Sequence, residues 1–266
     1  MSGVQTESIG DVWVVRIARP KRKNALDKAA WQGIGDAVRS APSSARAIVV
    51  TGSDGVFSAG MDLKMDNPLL MEVGMAIGAK DEDTLRNTIL WLKSCLSSLR
   101  EAKVPTIAAI EGACLGGGLE VALHCDVRIA SDSAVFSMPE PRLGFVADVG
   151  GTTLLKRLIG AGRASWLITS ARRIDADHAE RWGLVEQRCA TGDALNQALV
   201  LAHEMAHGAP VATAGSLALL REDLSHAFAA ETEAGLQALL AGEVMEAVTA
   251  RMERRNPSWC PAPPAE

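Results

Sequence analysis

Short β-rich runs alternate with helical segments through the first 150 residues, and this alternation is what most limits the possible fold. The runs, rich in Val and Ile as buried strands are, lie at Asp11–Ile17, Ala45–Val50, Pro105–Ile110 and Asp126–Ala130. Apolar residues at helical spacing predict helices over Asn24–Arg39 and after Thr84, which we expect to act as a cap. Helices dominate after about residue 150. Strands with helices between them predict an α/β core.

The apolar residues of one segment follow neither a clear helical nor a clear strand period. Asp66–Asp83 contains two glycines and shows only weak helical or strand spacing. We therefore expect it to be a mobile loop over a site, since long irregular segments often cover binding pockets.

Charge and composition exclude several classes of protein. The chain has 27 Lys and Arg against 32 Asp and Glu, a formal charge of −5, which argues against a general nucleic-acid binder. No apolar run approaches the roughly 20 residues of a membrane span. The first residues show neither a secretory nor a mitochondrial leader pattern. Five widely spaced cysteines fit reduced thiols, so the sequence predicts a cytoplasmic protein with no membrane or nucleic-acid partner.

Two glycine-containing turns directly follow predicted strands. The first is Phe57–Leu63, and the second is Gly112–Glu120, which contains three consecutive glycines at 116–118. Glycine lets the backbone adopt unusual angles and lets a ligand approach its N–H groups. If the turns converge, their N–H groups can form an oxyanion hole. A glycine cluster that only packs a tight strand-to-helix connection is the alternative.

Three acidic residues lie near these turns or in apolar surroundings. Glu120 follows the three glycines, Glu140 stands between two prolines, and Asp148 lies in the apolar stretch 144–151. An unpaired buried charge is costly, so such residues need a partner or a function. Each alone fits a cap or a salt bridge. Together with the glycine turns, they suggest general acid–base chemistry beside an oxyanion hole.

These segments, in this order, resemble the enoyl-CoA hydratase/isomerase family, also called the crotonase superfamily. The resemblance covers nearly the whole chain. It rests on Arg19-Pro20 with Asn24-Ala25-Leu26, on Phe57–Leu63, on the stretch 110–126, on Pro139-Glu140 and on Gly150-Gly151-Thr152.

The resemblance implies a crotonase-like spiral of ββα units over residues 1–200, followed by a C-terminal helical region and tail over 201–266. This region would build a homo-oligomer, either a trimer or a dimer of trimers. The substrate would be an acyl-CoA thioester, with coenzyme A as part of the substrate and with no further cofactor and no metal. The thioester oxygen would bind the N–H groups of Met61 and Gly117, and Glu120 with Glu140 would hold water and exchange protons.

The family pattern also implies contacts to coenzyme A. The residues expected to make them lie in three short segments: Lys21, Arg22 and Ala25; Ala59, Gly60, Asp62 and Lys64; and Gly116.

Asp148 departs from the hydratase pattern. The string GFVADVG is similar to that of dienoyl-CoA isomerases, in which an Asp at this position takes part in the chemistry, although those enzymes have Asp where this chain has Glu120. Hydration of a 2-enoyl-CoA is the first interpretation, and isomerisation of a 3,5-dienoyl-CoA to a 2,4-dienoyl-CoA that uses Asp148 is the second. The helix dipole should favour ionised Glu120, whereas Glu140 should carry the proton at neutral pH.

Two interpretations from other classes remain open. His203-Glu204-Met205-Ala206-His207 is a literal H-E-x-x-H zinc-peptidase motif, with Glu222 the nearest candidate for a third ligand. A catalytically silent crotonase-like binding protein is the other alternative. Retention of both Glu120 and Glu140 argues against it.

Overall fold

The four predicted strands all form, and all of them belong to the larger of two sheets. A computed structural model describes residues 3–221 and 224–259. Its strands, in chain order, are β1 Val4–Ile9, β2 Val12–Ile17, β3 Ala47–Gly52, β4 Thr106–Ile110, β5 Ala113–Leu115, β6 Val127–Ser131, β7 Val135–Ser137, β8 Ile174–Asp175 and β9 Gln187–Cys189. The larger sheet has the order β1-β2-β3-β4-β6-β9 and is parallel apart from the β1–β2 pair. The smaller sheet has the order β5-β7-β8.

Helices cover these sheets and form the C-terminal part of the chain. They are α1 Lys28–Arg39, α2 Pro68–Ala79, α3 Glu82–Glu101, α4 Gly117–His124, α5 Gly151–Ser170, α6 Ala176–Trp182, α7 Ala194–Ala206, α8 Pro210–Leu220, α9 Ser225–Leu240 and α10 Glu243–Met252. Short 3₁₀ helices lie at Pro20–Arg22 and Glu140–Leu143.

Two consecutive units repeat the same pattern of strand, strand and helix. In the first, β4 belongs to the large sheet, β5 to the small sheet, and α4 follows; β6, β7 and α5 repeat this order. The central strands β3 and β4 are buried almost throughout, as their unbroken apolar sequences require in a parallel sheet. The predicted mixed α/β class is confirmed.

Two helix starts differ from the expected ones. Lys23 and Asn24 both have left-handed backbone angles, so α1 cannot include them. Asp27 is the actual cap, and its side chain accepts a hydrogen bond from the N–H of Ala30. Asp81 caps α3 in the same way, and Thr84 is its hydrogen-bond partner, so the prediction that Thr84 is the cap is wrong.

The predicted loop over 66–83 is also wrong, because most of it is helix α2. Asn67 caps the helix by accepting a hydrogen bond from the N–H of Leu69, and Pro68 suits the first helical position. The buried residues of the helix repeat every three or four positions: Leu69, Leu70, Val73, Ala76 and Ile77. High apolar content on the other faces hides this period in the sequence.

The C-terminal helices differ in how they pack. α9 packs on α3 through Leu236 and Leu239, whereas α8 has no buried residue, and Leu219 is 84% exposed. Residue 200, where the sequence-based division of the chain falls, lies within α7. Within the described ranges, no helix is long and apolar enough to cross a membrane.

Arg128 on β6 ties the end of α4 to β9. The side chain is 1% exposed and donates to the carbonyl oxygens of Cys125 and Leu184, both at 2.8 Å, and to the Glu186 carboxylate at 2.5 Å. Without the guanidinium, these carbonyl groups would be buried without donors, at a cost in stability.

Replacing Arg128 with Met should therefore destabilise the protein strongly. We expect the free energy of unfolding, measured by urea denaturation, to fall by about 2–4 kcal/mol, because the carbonyl oxygens of Cys125 and Leu184 each lose a charged donor. Arg181→Met is the control. It removes an exposed ion pair with Asp177 and should change the free energy of unfolding by no more than about 0.5 kcal/mol. Equal effects of the two substitutions would contradict this account.

Candidate active site

The two glycine turns meet beside β5. The N–H of Ser58 donates to the Ala113 carbonyl at 2.8 Å, and the N–H of Leu115 donates to the Ser58 carbonyl at 3.0 Å. Gly60 has a φ of 86°, and a Cβ at this position would lie 2.6 Å from the Leu115 oxygen. The turns can approach this closely because position 60 has no side chain.

Two backbone N–H groups come together where the turns meet. Leu26 pairs with the first turn by donating to the Gly60 carbonyl and accepting from the N–H of Asp62, which leaves the N–H of Met61 between them. Gly117 is the first residue of α4, and a Cβ built on it would lie 3.7 Å from the Met61 nitrogen. Among the described residues, neither N–H has a backbone acceptor. The pair has the arrangement that an oxyanion hole requires.

Glu120 lies in the first turn of α4 and is 3% exposed. Its Oε1 accepts hydrogen bonds from the N–H groups of Val149, at 2.9 Å, and Gly151, at 3.2 Å. Burial raises the pKa of Glu120 well above its usual value, and the neighbouring acids, Glu140 foremost, raise it further. This direction is opposite to the one that the helix dipole alone would give, because desolvation outweighs the dipole.

Glu140 begins a 3₁₀ turn and faces the three glycines. Its Oε1 lies so close to Gly116 that a Cβ there would be 2.4 Å away. Its Oε2 is buried and has no hydrogen-bond partner within the described part of the chain. Burial raises the pKa of Glu140 to about 7, in line with the expected role as a proton carrier. An unsatisfied buried oxygen of this kind is available to a substrate or to water.

Asp148 lies just before α5 and lines the same cavity as Glu120 and Glu140. Its Oδ2 rests against α9, where a Cβ on Gly235 would be 1.8 Å from it. Burial raises the pKa of Asp148 to about 7, and the nearby Lys93 ammonium opposes this shift.

Sequence reasoning missed a buried ion pair next to this site. Glu231 on α9 is 5% exposed, and its carboxylate lies 3.6 Å from the Lys93 ammonium. Lys93 lies four residues after Ile89 and three before Leu96, on the buried stripe of α3. A cation within an apolar stripe is the signal that could have identified it, whereas Glu231 gives no comparable signal.

The three acids and both oxyanion N–H groups line one cavity of about 390 Å³. Its inner wall is apolar and comes from three helices, and it includes Leu69, Leu70 and Val73 of α2, Ile89 and Leu92 of α3, and Leu239 of α9. The segment expected to be a loop therefore contributes a wall of the cavity. Three arginines, Arg142, Arg173 and Arg251, also border the cavity.

The expected coenzyme A contacts divide into two groups. Ala59, Gly60 and Gly116 line the cavity. The others are not among its lining residues: Lys21, Arg22, Ala25, Asp62 and Lys64. Asp62 is 4% exposed and forms an ion pair with Arg19, so it supports the first turn rather than facing the cavity.

The H-E-x-x-H histidines lie apart from this cavity, at the exposed end of α7. Nδ1 of His203 is 3.0 Å from the Asp11 carboxylate, and Nδ1 of His207 is 2.9 Å from the carbonyl of His203. The residues that the structure describes place neither histidine in a cluster of three metal-ligand side chains. Glu222 lies outside the described residues.

Glu140→Gln should stabilise the protein at alkaline pH. A pKa raised to about 7 means that the folded protein holds this proton more tightly than the unfolded chain, so stability is lost as pH rises from about 4.5 to about 7. A neutral Gln removes this loss, and we expect the free energy of unfolding to rise by about 1–3 kcal/mol near pH 8 and to change little near pH 4. Urea denaturation between pH 4 and pH 8 tests this prediction, with Glu101→Gln at an exposed position as the control. An increase in the free energy of unfolding that does not depend on pH would contradict it.

Comparison with known proteins agrees with this geometry. A model of the enoyl-CoA hydratase/isomerase family matches residues 7–261. Short-chain-enoyl-CoA hydratase of Clostridium acetobutylicum is 33% identical over 263 residues, which cover 96% of this chain and 97% of that protein. Mitochondrial Delta(3,5)-Delta(2,4)-dienoyl-CoA isomerase of Mus musculus is 31% identical over 250 residues, which cover 91% and 76%.

A solved structure shares the architecture as well. The crystal structure of a proposed enoyl-CoA hydratase from Thermobifida fusca YX, in complex with acetoacetyl-CoA, has a TM-score of 0.74 and 29% identity, and the match covers 91% of this chain and 96% of that one. With its repeated ββα units and a family match over nearly its whole length, the chain belongs to the enoyl-CoA hydratase/isomerase family.

Proposed function

We propose that the protein adds water to a 2-enoyl-CoA thioester. The observation that carries the proposal is one cavity lined by Glu120 and Glu140 together with Met61 and Gly117, whose N–H groups have no backbone acceptor among the residues that the structure describes. Full-length similarity to the Clostridium hydratase supports it. The apolar inner wall suits an acyl chain, and the glycine turns suit the thioester.

The reaction uses the two glutamates as a coupled pair. With the thioester oxygen between the N–H groups of Met61 and Gly117, electron density that moves onto this oxygen is stabilised by donors already in place. The ionised glutamate takes a proton from water, the hydroxide adds to C3, and the protonated glutamate gives a proton to C2. Raised pKa values let Glu120 and Glu140 share one proton near neutral pH, so the roles belong to the pair.

Other sequence-based expectations also become proposals. Coenzyme A enters as part of the substrate, and no further cofactor or metal is needed for this chemistry. Lys21, Arg22 and Lys64 remain candidates for phosphate contacts.

We also propose a trimer or a dimer of trimers, because exposed apolar residues on α8, such as Val211 and Leu219, suit a subunit contact. A cytoplasmic location remains a prediction.

Isomerisation of a 3,5-dienoyl-CoA is a second candidate, which the position of Asp148 favours. This third acid lines the same cavity, and the mouse isomerase is a relative over most of the chain. In this reaction a base removes a proton from C2, the double bonds shift, and an acid returns a proton to C6. Asp148 would serve the distal carbon.

Product analysis with a 2-enoyl-CoA and a 3,5-dienoyl-CoA, side by side, separates the two reactions. If hydration is native, Asp148→Asn should keep turnover within about fivefold, whereas Glu120→Gln and Glu140→Gln should lower it by about 10²–10⁴-fold, the usual contribution of an acid or a base. If isomerisation is native, the Asp148→Asn variant should lose turnover of the 3,5-dienoyl-CoA, as the Glu140→Gln variant does. Asp54→Asn, in an exposed turn, is the control. A wild-type protein inactive on both substrates would indicate a silent binding protein.

Gly117 allows a direct test of the oxyanion hole. Both Gly117→Ala and Gly117→Pro place a Cβ about where the Trp31 ring lies, 2.8 Å from its Cζ2 atom, but only proline also removes the N–H. We expect the proline variant to be slower than the alanine variant by about 10²–10³-fold in kcat, the usual effect of one lost donor. Equal rates of the two variants would rule out a role for this N–H.

A further inference from the structure

Two carboxylates from distant parts of the chain hold the start of α5. Glu120 accepts from two N–H groups there, as described above. Glu231 of α9 accepts from two others, those of Gly150, at 3.0 Å, and Thr153, at 2.6 Å, and also from the hydroxyl of Thr152. Asp148 directly precedes this turn, so the turn fixes where Asp148 and Glu120 lie relative to each other.

α9 also makes room for Asp148. Gly235 lies four residues after Glu231, one helical turn along, and the Asp148 carboxyl occupies the space that a side chain at 235 would need. The distances from a built Cβ are 1.8 Å to Oδ2 and 2.8 Å to Cγ. Alanine is preferred to glycine within a helix, so the glycine has a local cost that this contact explains.

Lys93 on α3 supplies a positive charge next to these carboxyl groups. Its ammonium donates to the Thr232 hydroxyl at 2.8 Å and to the Phe228 carbonyl, and lies 3.6 Å from Glu231. Both hydrogen-bond partners lie on α9, so Lys93 also ties α3 to that helix.

We propose that Lys93, Glu231 and Gly235 form a positioning group that holds the Asp148 carboxyl at the cavity wall and keeps it in register with Glu120. The kinetic consequence rests on the proposed thioester chemistry, whereas the placement of Asp148 does not. The three residues are not placed in contact with the reacting atoms and act through the start of α5 and the wall formed by α9.

A crystal structure of Gly235→Ala tests the placement without an assay. We expect the Asp148 carboxyl to leave its wild-type position while α9 stays in place. Gly162→Ala, an exposed position of α5 with no atom near the added Cβ, is the matched control and should leave Asp148 unmoved. An undisturbed Asp148 in Gly235→Ala would overturn the proposal.

The pH dependence of kcat/KM tests Lys93 in the intact enzyme. Lys93→Met removes the positive charge that favours ionised Asp148, so the profile should shift to higher pH, while Lys93→Arg should keep it near that of the wild type. The titratable groups that face Lys93 or Asp148 are Glu120, His124, Glu140 and Glu231, and Arg100 in turn faces His124. Burial lowers the pKa of His124 to about 4, which keeps it neutral across the useful range.

The outcomes separate this proposal from the proposed function. A uniform loss of rate in Lys93→Met, with no shift of the profile, would show a merely structural residue and overturn the positioning role. Turnover of neither thioester by the wild type would reject the proposed chemistry, and the Gly235→Ala structure would still decide whether α9 positions Asp148. In an active enzyme, we expect Gly235→Ala to lower kcat for the reaction that needs Asp148 by about 10–100-fold, with KM within about twofold, as for a misplaced reacting group.

Discussion

Four carboxyl groups, two of them buried and two half-buried, lie within one small region and are the constraint on which the site depends. Glu120, Glu140, Asp148 and Glu231 compete for few partners, and Lys93 is the cation that the structure places within ion-pair distance of one of them. Backbone N–H groups at the start of α5 supply much of the remaining stabilisation. Desolvation in this setting raises the pKa of Glu120, Glu140 and Asp148, so these three acids retain protons to higher pH, and a retained proton is what acid catalysis near neutrality needs.

Much of the fold could be predicted from the sequence because the central strands are unbroken runs of Val, Ile and Ala. Such runs have one stable position, the middle of a covered sheet. Helix α2 could not be predicted in this way, because its outer faces are also apolar, as Met71 and Met75 show by their exposure. Periodicity identifies a helix only when its exposed side is polar. The start of α1 differs from the expected one because the left-handed angles at Lys23 and Asn24 depend on contacts with the first glycine turn, where the Ser58 hydroxyl donates to the Asn24 carbonyl and the N–H of Ala59 donates to the Lys23 carbonyl.

The candidate site was predictable where its residues lie on continuous motifs. Met61, Gly117, Glu120, Glu140 and Asp148 all line one cavity, as the resemblance implied. Glu231 and Gly235 escaped notice because their roles arise from contact between α9 and the start of α5, about 80 residues away in sequence. The raised pKa of Glu120 could not be predicted for a related reason: a local dipole can be inferred from the sequence, but the depth of burial that outweighs it cannot.

Helix α3 contributes both to the apolar wall of the cavity and to the ion pair next to the acids. Ile89 and Leu92 form part of the apolar wall of the cavity, and the next residue, Lys93, carries the positive charge that lies 3.6 Å from Glu231. Packed helices move as stiff units, so pressure on one side chain displaces its neighbours along the same rod. We therefore expect an acyl chain that presses on Ile89 or Leu92 to shift Lys93 as well, so that a tail that fits poorly is turned over slowly even when it binds well.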